Sequence, residues 1–195
     1  MDMNVKSFRR SSSVKSVFAL LFFTVLFLQI SKAQCFTVKE LISVQSMNFK
    51  ESDTYLSNKG WKFSHKKGGV VGKYNRNSWA FGKDTKTGGA VAWMNILSYP
   101  GSENRIVYQI QNTKNYTILV DLIVKEGMLS INTNKLENSL LTDYERNGYV
   151  IRVIENTLVN GQKQYLFIVF TSEDYMHMNS AEEDPNDVID QNDIF

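Results

Sequence analysis

Residues Thr113–Asn132 read TKNYTILVDLIVKEGMLSIN, and the change of period inside this stretch decides the fold class. Up to Glu126 the apolar residues Tyr116, Leu119, Val120, Ile123 and Val124 recur at helical spacing and form one broad stripe. Gly127 closes the helix, because glycine takes the left-handed position after a last turn at little cost. Met128-Leu-Ser-Ile-Asn then opens a strand. A helix with one apolar face, followed at once by strands, predicts an α+β fold in which helices pack on one face of antiparallel β meanders.

Strand signals dominate downstream of this stretch. Strands are expected near Leu140–Glu145, Tyr149–Leu158 and Gln164–Thr171. Between the last two, Val159-Asn160-Gly161-Gln162 predicts a hairpin with a type I′ turn at Asn-Gly. Upstream, Thr37-Val-Lys-Glu40 and Asn48-Phe-Lys-Glu51 both match the capping box, so two short helices are expected, the second stopping at Lys59-Gly60. Strands follow from Trp61: WKF, then Trp79-Ala-Phe81, Ala90–Leu97 and Arg105–Gln111.

The chain therefore falls into two halves, 37–111 and 112–172, each with a helix ending in Gly and then strands. Tyr74-Asn-Arg-Asn-Ser-Trp79 in the first half resembles Tyr144-Glu-Arg-Asn-Gly-Tyr149 in the second. Both strings are expected to be hairpin corners, with Asn at the bend and aromatics anchoring the arms. The pairing suggests an internal repeat of two tandem half-modules. It also makes Arg76, Arg146, Tyr74, Trp79 and Tyr149 the candidate partner-contact residues.

The ends of the chain read differently. Lys6, Arg9, Arg10 and Lys15 precede the apolar run Val17–Leu28, and Ser31-Lys-Ala33 supplies the small residues of a cleavage site. Residues 1–33 thus read as a signal peptide, with an apolar run too short to span a bilayer of roughly 20 residues. The chain is expected to be exported to the periplasm, to the cell surface or into the medium. Cys35 is the single cysteine and has no intrachain partner. A lipidation signal wants a small residue before the cysteine, where this chain has Gln34. Membrane contact is expected only through the signal segment, unless that segment stays uncleaved or Cys35 is lipidated.

Removing residues 1–33 takes five basic groups and one acid from the 22 basic and 20 acidic residues, which leaves a mature charge of −2. Residues 34–172 form the single domain and carry +6, whereas 173–195 hold eight acids and no Lys or Arg. That acidic tail is expected to be disordered. It could serve as a solubilising end, as a cover for the basic body, or as a contact for a cationic partner.

Catalytic chemistry finds little to work with. The two histidines, His65 and His177, are far apart in sequence, and a hydrolytic triad needs one beside a nucleophile. Zinc wants three or four Cys and His ligands. Hard-cation binding would need Asp53, Asp84 and Asp143 to converge. The glycine pairs Gly68-Gly69 and Gly88-Gly89 lack the following helix of a phosphate loop. No catalytic, cofactor or metal residues are assigned, and no nucleic acid is expected as partner.

The helix-then-meander strings Tyr55-Leu-Ser-Asn-Lys-Gly-Trp-Lys-Phe63 and Tyr116–Gly127 resemble, in architecture alone, the tandem modules of small exported inhibitors and envelope-assembly proteins. The export signal ending Ala33-Gln34 and the mature body resemble poorly characterised exported proteins of Bacteroidota. That resemblance bears on localisation and not on activity. The want of an assembled nucleophile and of a metal-ligand set, the few histidines, the aromatic-rich β body and the acidic tail lead to the expectation of a non-enzymatic interaction or scaffold protein of the cell envelope, with an envelope protein or ligand as partner. The alternative is a binder of a small ligand, lipid or glycan, with an apolar pocket between helix and sheet lined by Trp61, Phe63, Trp93 and Tyr108. An uncharacterised hydrolase ranks third.

Overall fold

The computed structural model describes residues 35–68, 74–98 and 103–180. The chain divides after Cys35, and the fold below is that of the second unit. Residues 1–33, expected to be a signal peptide, lie outside the described residues.

Two short helices come first, α1 (Val38–Gln45) and α2 (Phe49–Asn58). Both begin as the capping boxes predict. Glu40 N–H donates to Thr37 Oγ1 at 3.2 Å and Thr37 N–H to Glu40 Oε2 at 2.7 Å, and Asn48 and Glu51 repeat the exchange. Four strands follow: β1 (Lys62–Lys67), β2 (Asn75–Phe81), β3 (Ala92–Ser98) and β4 (Arg105–Ile110). Helix α3 (Thr113–Lys125) leads into β5 (Leu129–Lys135), β6 (Ser139–Arg146), β7 (Tyr149–Thr157) and β8 (Lys163–Thr171), and α4 (Ser172–Ser180) ends the described chain.

All eight strands form one antiparallel sheet in the order β1-β2-β3-β4-β8-β7-β6-β5. Each set of four is a meander, and the last strand of each set meets the other at the centre. The α+β class is as expected.

The centre of the sheet is buried on both faces. In β8, Gln164 to Phe170 are all buried, the unbroken pattern of a strand with cover above and below. Tyr165, Phe167 and Val169 join the core under the first three helices, with Leu41, Leu56, Trp79, Leu119 and Ile123. Leu166, Ile168 and Phe170 point the other way and join Leu97, Val107 and Val150, against which Tyr175 and Met178 of α4 pack. Helices α1 to α3 thus cover one face, and α4 lies on the other, called here the far face. Residues 173–180, expected to be part of a disordered tail, are helical instead. Thr171 Oγ1 accepts the Asp174 N–H at 3.2 Å, and Glu173 and Asp174 sit in the first turn, where acids favour a helix. Residues 181–195 lie outside the described residues.

The two Arg-Asn strings part company in the structure. Asn147 and Gly148 have φ of 53° and 81° and link β6 to β7 through the Arg146↔Tyr149 pair, the expected type I′ corner. Asn77 and Ser78 lie inside β2, paired with Ile96 and Asn95. They make no bend, because Ser78 offers no glycine-like freedom and the string's alternating burial suits a sheet interior. The string match is therefore not a match of position in the fold. The last hairpin also differs from expectation. Only Gly161 has positive φ (79°), and Gly161 N–H donates to Leu158 O while Leu158 N–H donates to Gln162 O. This is a three-residue loop closed by a glycine bulge, in place of the two-residue type I′ turn.

Candidate functional site

Strand pairing assigns side chains to the far face. Across the first half it carries Lys62, His65 and Lys67 of β1, Arg76, Ser78 and Ala80 of β2, and Trp93, Asn95 and Leu97 of β3. Simple alternation would set Lys62 and His65 on opposite faces. A register shift between Phe63 and His65 brings them to the same one.

The result is a cationic corner. Lys67 pairs with Arg76 across the strands. Lys83, from the loop after β2, donates to Ser64 Oγ at 2.9 Å and sits 5.5 Å over the Trp93 ring. His65 lies edge-on to Trp93 at 6.4 Å. Burial, and then the charges of Arg76, Lys83 and Lys67, hold the His65 imidazole below its usual value.

Arg76 is the unusual member. It is only 8% exposed, it has no carboxylate partner among the described residues, and its Nε has no hydrogen-bond partner. Two residues along β2, Ser78 Oγ donates to Asn95 Oδ1 at 2.7 Å, so that polar pair satisfies itself and offers no acceptor to Arg76 Nε. Buried arginines are ordinarily paired.

The centre and second half of the same face show what pairing looks like here. The Asp143 side chain is fully buried and accepts from Arg152 Nε (2.8 Å), Arg152 Nη2 (3.0 Å), Tyr175 Oη (2.7 Å) and Asn132 Nδ2 (3.3 Å). Arg105 donates to Asp174 through Nε (2.6 Å) and Nη2 (2.8 Å). The Arg105 and Arg152 guanidinium carbons lie 5.5 and 5.7 Å from the Phe170 ring centre. Helix α4 is held to the sheet by these two charge-assisted sets around one aromatic ring.

The five residues singled out from sequence do not form one site. Arg76 lies in the cationic corner. Tyr74 precedes β2, half-buried against the far-face cluster. Trp79 is fully buried on the helix face, its Nε1–H donating to Asp53 Oδ1 at 2.9 Å, so a partner cannot reach it. Arg146 is exposed and Tyr149 half-buried at the β6–β7 corner, paired on the helix face. The string similarity grouped residues that the sheet separates. What it missed, His65, Lys83 and Trp93, depends on the β1 register shift and on a loop returning to the face.

The four aromatics expected to line an apolar pocket also separate. Trp61 and Tyr108 are packed into the core with Phe36 at ring distances of 5.6 and 5.3 Å. Phe63 is 42% exposed, and Trp93 is on the far face. A depression of about 550 Å³ lies instead by the β5–β6 turn, where Lys163 and Glu155 pair with each other.

Nor do the carboxylates converge. Asp53 serves Trp79, Asp84 accepts from Lys86 N–H and Thr87 Oγ1 within its loop, and Asp143 belongs to the α4 clamp. Comparison of the chain with protein-family models, with curated proteins and with solved structures gave no match to any of them.

Proposed function

We propose that this is an exported, non-enzymatic interaction protein of the cell envelope, and that it binds an acidic protein partner through the cationic corner of its far sheet face. The observation that carries the surface assignment is Arg76. An arginine that is 8% exposed, whose buried Nε has no hydrogen-bond partner and which has no carboxylate partner among the described residues, carries a desolvation cost that an anion would offset. Lys62, Lys67 and Lys83 supply a positive potential around it that would steer a negative partner and speed encounter, and the same charges disfavour protonation of His65. Trp93 adds a partly exposed aromatic at the centre of the patch, the type of side chain that anchors interfaces. Export is supported by the basic leader, apolar run and small-residue site of residues 1–33.

The test is recovery of partners on immobilised mature protein from an envelope extract of its own cell, beside the Arg76→Gln variant. One stoichiometric acidic protein, held by the parent protein, lost with Arg76→Gln and released by salt, is the expected result. Equal recovery on both proteins would remove Arg76 from the interface. Co-purified lipid or glycan in place of protein would turn the reading to a ligand binder.

A further inference from the structure

We propose that the protein pairs with a second copy of itself through β5, antiparallel and about a twofold axis at Thr133, so that two eight-stranded sheets join into one. The inference is independent of the acidic-partner reading. The cationic corner on β1 and β2 lies at the other end of the strand order, so this pairing does not involve it.

The sheet has two edges, and their sequences differ in kind. An edge strand presents a row of unpaired backbone N–H and C=O groups, which proteins commonly guard with lysine. On the β1 edge, KFSHKK, Lys62 and Lys66 stand beside His65. On the β5 edge, LSINTNK, there is no charge and no proline from Leu129 to Asn134. All seven β5 residues are exposed, Leu129 by 72% and Ile131 by 45%. Among the described residues no strand lies on the outer side of β5. The edge is also held ready for pairing. Buried Met128 anchors its start, Asn132 Nδ2 donates to Asp143 Oδ2 at 3.3 Å, and Leu136 N–H donates to Ser139 O at 2.9 Å where the hairpin closes. Little ordering entropy is then lost on association.

Register makes a second copy the fitting occupant. A bulge interrupts the β5–β6 pairing between Ser130 and Asn132 and leaves Asn132–Lys135 paired residue by residue with Asp143, Thr142, Leu141 and Leu140. A bulge is itself an edge guard, and here it spares the C-terminal half of the strand. Side chains alternate between faces, so two copies that continue each other's faces share an axis through a residue. With the axis at Thr133, Thr133 lies opposite Thr133, Asn132 opposite Asn134 and Ile131 opposite Lys135. A threonine pair suits cross-strand hydrogen bonding, the amide pairs are uncharged, the lysine stem covers the isoleucine, and no like charges meet. Placing β1 of one copy on β5 of the next would set Lys62 and Lys66 against a neutral edge, and such a head-to-tail contact would not close. The twofold ladder closes at two copies. It is short, so the interface falls below the roughly 1,200 Å² of stable complexes and the association is weak.

Sedimentation velocity on the full mature chain at concentrations up to about 1 mM tests the inference. The parent protein is expected to show a reversible monomer–dimer equilibrium. Thr133 is exposed, so Thr133→Lys and Thr133→Glu are expected to keep the fold, which urea unfolding checks. Each variant alone is expected to dimerise at least roughly tenfold more weakly, because like charges then face each other across the axis. An equimolar mixture of the two is expected to recover the dimer. The same substitutions at exposed Ser57, on α2, are expected to leave dimerisation unchanged. A parent protein that stays monomeric throughout, or a dimer indifferent to charge at Thr133, overturns the inference. Loss with both variants without recovery on mixing overturns the axis at Thr133, and assembly that grows without limit overturns it in favour of β1 on β5.

Discussion

Arg76 and Trp79, three residues apart on β2, show how much a strand's register decides. One faces the far side, without a carboxylate partner among the described residues, and the other fills the core. Replacing Trp79 with alanine removes a fully buried indole and orphans Asp53, so urea unfolding is expected to show a loss of about 3–5 kcal/mol. Arg76→Met should do the opposite. Removing a buried charge that lacks a counter-ion is expected to raise stability by about 1 kcal/mol in the same measurement while abolishing partner binding, because an apolar side chain of similar length carries no desolvation penalty. His65 adds a pH dependence. Its folded pKa is depressed below the value of the unfolded chain, so the unfolded state binds more protons in the window beneath about 6.5. Stability relative to His65→Gln is therefore full above that pH and declines as pH falls through the folded pKa, which unfolding curves at pH 7 and pH 5 would show.

At the level of elements, α4 is the part whose attachment is most sharply defined. Asp143→Asn would leave Arg152 buried beside a neutral amide, and a cost of about 3–5 kcal/mol is expected by denaturation. Tyr175→Phe removes one bond to the carboxylate and spares the ion pair, so about 1.5–3 kcal/mol is expected. Amide exchange should speed up first in 172–180. The β6–β7 corner supplies a purely conformational case. A methyl on Gly148 would meet no atom within 4 Å, yet its φ is 81°, so Gly148→Ala is expected to cost about 1–2 kcal/mol from backbone strain alone. Helix starts were legible because a capping box is written within four residues. Helix α4 had such a sign in Thr171-Ser-Glu-Asp174, hidden by the acid-rich sequence that follows it. The Asn77-Ser78 corner was misread because a short string was given a turn's meaning without the glycine that makes a turn.

For the whole molecule, the mirrored order β1-β2-β3-β4-β8-β7-β6-β5 joins two meanders through their last strands, so one continuous sheet presents two unlike faces. The helix face is closed by apolar packing. The far face carries charge, with its acids and arginines paired near α4 and a cationic excess at β1 and β2. Binding and folding should then respond differently to salt. Raising ionic strength from 0.1 to 1 M shortens the screening length from roughly 10 to roughly 3 Å. Partner retention is expected to drop by more than tenfold over that range, while the urea midpoint moves little.

The strands, the first three helices and the antiparallel class follow from local order in the chain: apolar period, capping residues and glycines act over a few positions and need no distant partner. The site is different in kind. Which face Arg76 meets, what lies beside His65 and where α4 docks depend on pairings between residues tens of positions apart and on a one-residue shift at Ser64. Register converts a periodic pattern into a particular neighbourhood, and it is settled only when the strands pair, because a slip by one residue would turn every side chain to the opposite face.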